Sequence, residues 1–351
     1  MNLSLFDLVT ASNIVAYWIE KNVNKQPLLG ETLFPVKKEI GIKLDWIKGA
    51  NNQPVALRLS AYDSKAIRRD REGIEQFTTK MPFFKESMYI DEEMRQSLNT
   101  LLQTSNRQLI NTIVAKIFDD QIKLIAAARI SLERMRMELL QSGTITLASN
   151  GQAFNYDFGI PAAQKKAATQ LTDATVWSNT SADIIADVNE IKEYMASQGV
   201  EITKAIINSS VVKNIVKNTN IKNSIYVLAG GSIASISSAR ALSYLQEETG
   251  VTFYVYDNVY VNESGQTVKY FADNTVSFLP DGTLGNTHLG TTPEESDLMN
   301  KGGAQVSIVD TGIAVTTYKM DDPVNVEMKV SMVGLPSFER ANEVYILDTA
   351  N

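Results

Sequence analysis

Cysteine is absent from this chain of 351 residues. Its absence excludes disulfides, thiolate nucleophiles and cysteine-ligated zinc, and a single histidine, His288, excludes most histidine-based metal sites as well. Basic charge is in deficit. The 33 Lys and Arg residues stand against 40 Asp and Glu, a formal net charge of −7, which argues against a protein that draws its affinity from neutralising nucleic-acid phosphates. Long apolar runs are missing too. The N-terminal stretch MNLSLFDLVTASNIVAYWIEKNV has no basic leader, carries Asp7 in its most apolar part, and falls short of the roughly 18 uncharged residues that span a membrane, so it reads as an amphipathic arm of a cytoplasmic protein. Neither GxGxxG nor the phosphate loop GxxxxGK[ST] occurs, and there is no solenoid-length repeat or low-complexity segment.

Apolar residues make up 44% of the chain, enough for the substantial core of an ordered globular protein. In the arm, Phe6, Val9, Val15, Trp18, Ile19 and Val23 fall near one side of a helix. A neighbouring copy or the chain's own domain could cover that stripe, and the sequence leaves both open. An arm serving only assembly could lose residues 1–25 without unfolding the subunit.

From Leu33 to Tyr89 the chain is β-rich. Ile40, Ile42, Leu44 and Trp46 alternate with polar or small residues as in a half-exposed strand, ANNQ supplies a turn, and VALRLSAY alternates again. The following AIRRDREGIEQFTTK mixes both signs of charge at Arg68, Arg69, Asp70, Arg71, Glu72 and Glu75. These six residues have two readings. They form a solvated loop, or they are intersubunit contacts on a projecting hairpin that docks in a fixed register.

The clearest single element starts at Ser105, which has capping-box spacing to Gln108, and Gly143 is placed to end it. Between them Ile110, Ile113, Val114, Ile117, Leu124, Ala128, Leu132, Met135 and Leu139 repeat at helical spacing. This predicts one helix of about 37 residues, roughly 55 Å long, a rigid strut. A hairpin turning at Asn150-Gly151 follows, then a helix capped by Thr180 or Ser181 with Ile184, Ile185, Val188, Ile191 and Met195 as its stripe. The strand EITKAIIN, the helix VVKNIVKN, a strand SIYVLA, a helix from Ser238 to Leu245 and the strand VTFYVYD make an α/β layer, and the remainder is mainly β.

The stretch FADNTVSFLPDGTLGNTHLG, Phe271 to Gly290, has the glycines, acids and histidine of a loop that could do chemistry. Gly230-Gly231-Ser232, Asp257 and His288 also reproduce the Ser, Asp, His order of α/β-hydrolases. Order alone is weak. The nucleophile elbow needs glycine two residues after the serine, where this chain has Ala234.

Three stretches together resemble one family. FNYDFGIP followed by VWSNTSADIIADVNEI is similar to the tyrosine-aspartate-aromatic-glycine hairpin, tryptophan and aspartate-led helix of tailed-phage major capsid proteins of the lambda major head protein type. The second match is a strand ending in Leu279-Pro280, followed by Gly282, Leu284, Gly285 and then Gly290 with Thr292 and Glu294. The third is the chain end, DPVNVEMKVSMVGLPSFERANEVYILD, which resembles the family's closing strands. They occur in the family's order over nearly all of the chain.

The resemblance implies an α+β chain with the Hong Kong 97 (HK97-like) phage capsid fold. Residues 1–30 would be its N-terminal arm, 31–95 its extended loop, 96–180 plus 331–351 its peripheral domain with the spine helix, and 181–330 its axial domain. The implied function is structural. Copies would form hexamers and pentamers of an icosahedral-type head shell, assembled in the host bacterial cytoplasm and enclosing genomic DNA without sequence readout. No catalysis, cofactor, metal or membrane enters this reading, and His288 needs no catalytic role. The arm pattern begins almost at Met1, so a separate scaffolding protein is expected beside a portal protein, with room for a decoration protein. The alternatives are an encapsulin-like non-viral shell and a serine hydrolase built on Ser232.

Overall fold

A computed structural model of the protein describes residues 5–22, 27–48, 75–90, 92–104, 107–229, 235–298, 304–321 and 324–351. The chain opens with helices α1 (Leu5–Leu8), α2 (Ala11–Asn22) and α3 (Leu29–Leu33), then strands β1 (Val36–Lys38), β2 (Lys43–Lys48), β3 (Glu75–Lys80) and β4 (Phe83–Tyr89). Helices α4 (Glu92–Thr104) and α5 (Arg107–Ser142) lead to the hairpin β5 (Thr144–Ser149) and β6 (Gln152–Asp157), followed by β7 (Lys165–Ala167). Next come α6 (Ile184–Ser197), β8 (Lys204–Ile207), α7 (Ser209–Lys217), α8 (Thr219–Ala229), α9 (Ser238–Thr249) and β9 (Thr252–Val255). The remaining strands are β10 (Val259–Val261), β11 (Thr267–Lys269), β12 (Thr275–Leu279), β13 (Thr287–Leu289), β14 (Ala304–Val309), β15 (Ile313–Asp321), β16 (Val324–Pro336) and β17 (Tyr345–Asp348).

Two units share these elements. Residues 1–45, 78–135 and 285–337 form the first, and 46–77, 136–284 and 338–351 form the second. In the first, the 13-residue strand β16 is the organiser. It pairs antiparallel with β15 on one edge and with β4 on the other, and its far end pairs with β13, which takes β1 in parallel. Val326, Met328, Val330 and Met332 alternate onto one buried face, as a strand period of two requires. Helix α2 packs on β14 and β15. Ala11, Ile14 and Trp18, spaced for one helical face, are its buried residues. Arg129 of α5 stacks over the Trp18 ring at 5.4 Å and pairs with Asp310, between β14 and β15, at 2.5 Å. The arm helix is therefore folded onto its own subunit. Ile19, expected in its buried stripe, is 57% exposed, and Ile14 takes that place.

The second unit holds a sheet of order β7-β17-β12-β8-β9. Its core joins Ile184, Val188, Ile191 and Met195 of α6 to Val211 and Ile215 of α7, Ala241 and Leu245 of α9, and Ala205, Ile207, Phe253, Val276, Phe278 and Leu347 of the sheet. Burying so many branched and aromatic side chains is the main favourable term holding this layer together. Strand β17, near the chain's C-terminus, pairs with both β12 and β7.

Much of the expected element order is present. The long helix runs from Arg107 to Ser142 and closes at Gly143, whose φ of 70° and N–H bond to the Leu139 carbonyl mark a left-handed cap. Asn150 and Gly151, both at positive φ, turn the β5–β6 hairpin. Three readings are corrected. SIYVLA is not a strand but the end of α8, a helix whose first turn is capped by the Asn218 carboxamide on the Ile221 N–H; short apolar runs do not distinguish the two states by periodicity. The cap of α6 is Asp183, whose carboxylate accepts from the Ala186 N–H, while the Ser181 hydroxyl donates to Asn179. The strand read from Ile40 starts only at Lys43, because Gly41 at φ 90° breaks the extended run and leaves Ile40 fully in solvent. VALRLSAY and the cap at Ser105 lie outside the described residues.

Candidate functional site and assembly surfaces

The stretch from Phe271 to Gly290 turns out to be structural throughout. Phe271 is buried, and the carboxamide of Asn208, itself buried at the start of α7, donates to the Ala272 carbonyl and to the Asp273 carboxylate. Residues 275–279 are β12, and Gly282 takes φ 88° in the turn after it. In the first unit, a Cβ at Gly285 would stand 2.1 Å from the Ser337 carbonyl oxygen, and one at Gly290 would stand 2.4 Å from that of Gly41. Those two glycines are required by close backbone approach rather than by a ligand. Thr292 is buried, and its hydroxyl accepts from the Glu295 N–H. Glu294 is buried in the turn of helix that follows Pro293, where it pairs with Lys329 of β16 at 2.5 Å and accepts from the Ser331 hydroxyl. Burial opposes ionisation of Glu294, but the Lys329 ammonium and the Ser331 hydroxyl outweigh it and hold its pKa below the ordinary value.

His288 has a different set of partners from those the chain order suggested. Its Nδ1 lies 3.0 Å from a Glu39 carboxylate oxygen and its Nε2 lies 3.0 Å from the Ser337 hydroxyl. Ser337, His288 and Glu39 thus have the connectivity of a nucleophile, base and carboxylate relay. A tautomer protonated on Nδ1 lets the imidazole donate to Glu39 and accept from Ser337, whose hydroxyl has the Asn286 carbonyl at 3.2 Å as its other acceptor and whose oxygen accepts from the Asn286 N–H. Ser337 is 0% and His288 3% exposed, so no carbonyl substrate can approach the hydroxyl in this arrangement. The relay instead ties β1, β13 and the end of β16 together. A contact to Lys37 holds the Glu39 carboxyl below its usual range, burial works against this, and His288 assists. Of the hydrolase candidates, Ser232 lies outside the described residues, and Asp257 accepts from the Ser209 N–H at the start of α7. Sequence order could not find Ser337 and Glu39, which stand 49 and 249 positions away from His288.

Among the described residues, no group of three or more His, Asp or Glu is placed to hold a metal ion, and no helix is long and apolar enough to cross a membrane. What the surface does offer is apolar area. In the first unit Phe83 and Tyr89 on β4 and Val324 at the start of β16 are exposed, with Tyr89 at 72%. In the second unit Tyr254 and Val255 end β9, the edge of the five-stranded sheet, and Val259 and Val261 lie exposed on β10. The alternation on β10 is clear: Tyr260 points to Tyr270, ring centroids 4.7 Å apart, and the valines on either side face solvent. Exposed apolar clusters and open sheet edges mark surfaces suited to association. Of the charged candidates, Arg68, Arg69, Asp70, Arg71 and Glu72 lie outside the described residues, and Glu75 is the first residue of β3.

Comparison with known proteins bears on the same question. No curated protein sequence matches the chain. A crystal structure of a phage-related protein from Bordetella bronchiseptica RB50 is similar at 14% identity and a TM-score of 0.54, covering 95% of this chain and 96% of that one. The putative capsid protein of a prophage of E. coli CFT073 is similar at 13% identity and a TM-score of 0.50, covering 78% and 79%. The mixed helix and sheet architecture is the HK97-like phage capsid fold. The encapsulin-like and hydrolase readings are not favoured. With the model of the phage major capsid protein E family matching residues 10–349, the chain belongs to that family and is a structural protein of a phage head shell.

Proposed function

We propose that copies of this chain associate into hexamers and pentamers around local symmetry axes and close into a shell that holds phage genomic DNA without reading its sequence. The observation that carries this reading is the family match, which spans almost the whole chain. The net charge of −7 supports containment rather than tight binding of DNA. The exposed residues of β4, β9 and β10 are the contact surfaces best supported by the described structure, and the charge cluster from Arg68 to Glu75 is a further set on the extended loop. Each contact is weak. A closed array holds because every subunit makes several contacts at once.

Assembly in the host cytoplasm with a separate scaffolding protein, around a portal protein and with room for a decoration protein, completes the proposal, and the chain itself acts without catalysis. Electron microscopy of the purified chain, alone and with the other head proteins of its phage, tests it. Shells or capsomer rings support the reading. A monomer that stays dispersed in both preparations overturns it.

A further inference from the structure

In the second unit, the indole N–H of Trp177 donates to Oδ2 of Asp187 across 2.8 Å. Both residues are 1% exposed, and the other carboxylate oxygen, Oδ1, has no hydrogen-bond partner. A carboxylate removed from water ordinarily gathers several donors, and this one has a single neutral donor. The charged groups acting on it are all acidic, Asp173 and Asp183 on the preceding segment and Glu190 on its own helix α6, and Asp187 in turn acts on the Tyr345 hydroxyl of β17.

Those carboxylates also fasten the segment that carries Trp177. Glu190 accepts from the Thr172 N–H at 2.8 Å, Asp173 from the Asp183 N–H at 3.0 Å, and Asp183 from the Ala186 N–H at 3.1 Å. On its other side the Trp177 backbone N–H donates to the Thr349 carbonyl at 3.1 Å. Between these fastenings the indole is the only side chain of the segment seen to bond Asp187 among the described residues.

We propose that Asp187 is a proton-operated latch for residues 168–183: with its carboxyl protonated the Trp177 indole stays seated on α6, and release of that proton to solvent leaves a negative charge at the buried Asp187, beside the more exposed Asp173, Asp183 and Glu190, and loosens the segment. Burial, opposed by the indole hydrogen bond and reinforced by the three acids, pushes the Asp187 carboxyl up to about 7. The latch therefore works in the neutral range. Because the folded state binds this proton more tightly than the unfolded chain, the stability it supports is present at low pH and is lost as pH rises from about 4 towards 7. The inference concerns the subunit alone and stands apart from the shell reading.

The test is fluorine NMR of the full-length, unassembled chain labelled with 5-fluorotryptophan. Its three tryptophans are Trp18, Trp46 and Trp177, and the Trp177 resonance is assigned by its loss in Trp177→Phe. Between about pH 5 and about pH 9 that resonance moves in one step with a neutral midpoint. Asp187→Asn holds it at its low-pH position throughout. Glu190→Gln keeps the acceptor for Thr172 but removes a charge, and so shifts the midpoint to lower pH. A resonance that stays still over this range, or one that titrates equally in Asp187→Asn, overturns the proposal. If Asp187→Asn does not fold, Glu190→Gln decides, and an unmoved midpoint counts as refutation.

Discussion

The Ser337 hydroxyl and His288 Nε2 lie 3.0 Å apart at a place that solvent does not reach. Their separation is that of a working nucleophile and base, and burial is what gives them another task. Ser337→Ala leaves the imidazole nitrogen and the Asn286 N–H without the hydroxyl, which costs about 1–3 kcal/mol. Chemical denaturation of the variant measures that loss. A fluorophosphonate probe should leave the native chain unlabelled, and labelling at Ser337 would reverse this assignment.

Trp18 carries the arm's attachment. Its ring is buried against the first unit and stacks under Arg129, so Trp18→Ala costs about 3–5 kcal/mol. Deleting residues 1–25 removes Val9, Ala11 and Ile14 with it and destabilises the subunit, contrary to the expectation for an arm used only between copies. A truncated chain with an unchanged melting temperature would restore that expectation.

Gly285 tolerates no side chain, because the obstacle to a Cβ is backbone, the Ser337 carbonyl oxygen at 2.1 Å. Gly285→Ala should cost about 3 kcal/mol or prevent folding. Gly265 is the control: it has open space around the Cβ position, although its φ of 76° makes alanine strained there, so Gly265→Ala costs only about 1 kcal/mol. Equal melting temperatures for the two variants would contradict the packing assigned to Gly285.

Glu294 gives the stability profile an acid arm. Its pKa is held below the ordinary 4.5, so the stabilisation from its pair with Lys329 is complete above that value and is lost as pH falls through the lower, folded-state value. Glu294→Gln leaves the half-buried Lys329 without its counter-charge and costs about 1–3 kcal/mol at neutral pH. Its acid arm is correspondingly flatter. Thermal melts of both proteins across the acid range show whether the two curves converge, and parallel curves would contradict the assignment.

Surface variants separate assembly from folding. Val259→Thr with Val261→Thr keeps β-branched side chains on an exposed ribbon, so the melting temperature stays within a few degrees while shell yield drops. Arg68→Glu with Arg69→Glu tests the proposed charge cluster in the same way. Exposed pairs contribute about 0.2–1 kcal/mol each, and repetition over the shell amplifies the loss. Normal shells from either double variant would remove that surface from the list of contacts.

How much the sequence could tell differs from element to element. The length of α5 with its end at Gly143, the Asn150-Gly151 turn and the α6 stripe were legible because helical period and turn chemistry act over a few neighbouring residues. SIYVLA was not, since a short apolar run satisfies a buried helix and a buried strand equally, and here the Asn218 cap and packing beside α9 select the helix. The catalytic-looking order of Ser232, Asp257 and His288 misled for the opposite reason. Order along the chain says nothing about which side chains meet.

By itself, the sequence determined the α+β class, the long helix, the family and the exclusion of cysteine chemistry and of most histidine-based metal sites, because each is written in composition, local periodicity or ordered motifs. Only the tertiary structure decided that α2 lies on its own subunit, that His288 is held by Glu39 and Ser337, and that Trp177 rests on Asp187. Those outcomes depend on contacts between segments tens to hundreds of residues apart or on which carboxylate is buried, and such choices are made by packing and desolvation, which no local pattern encodes.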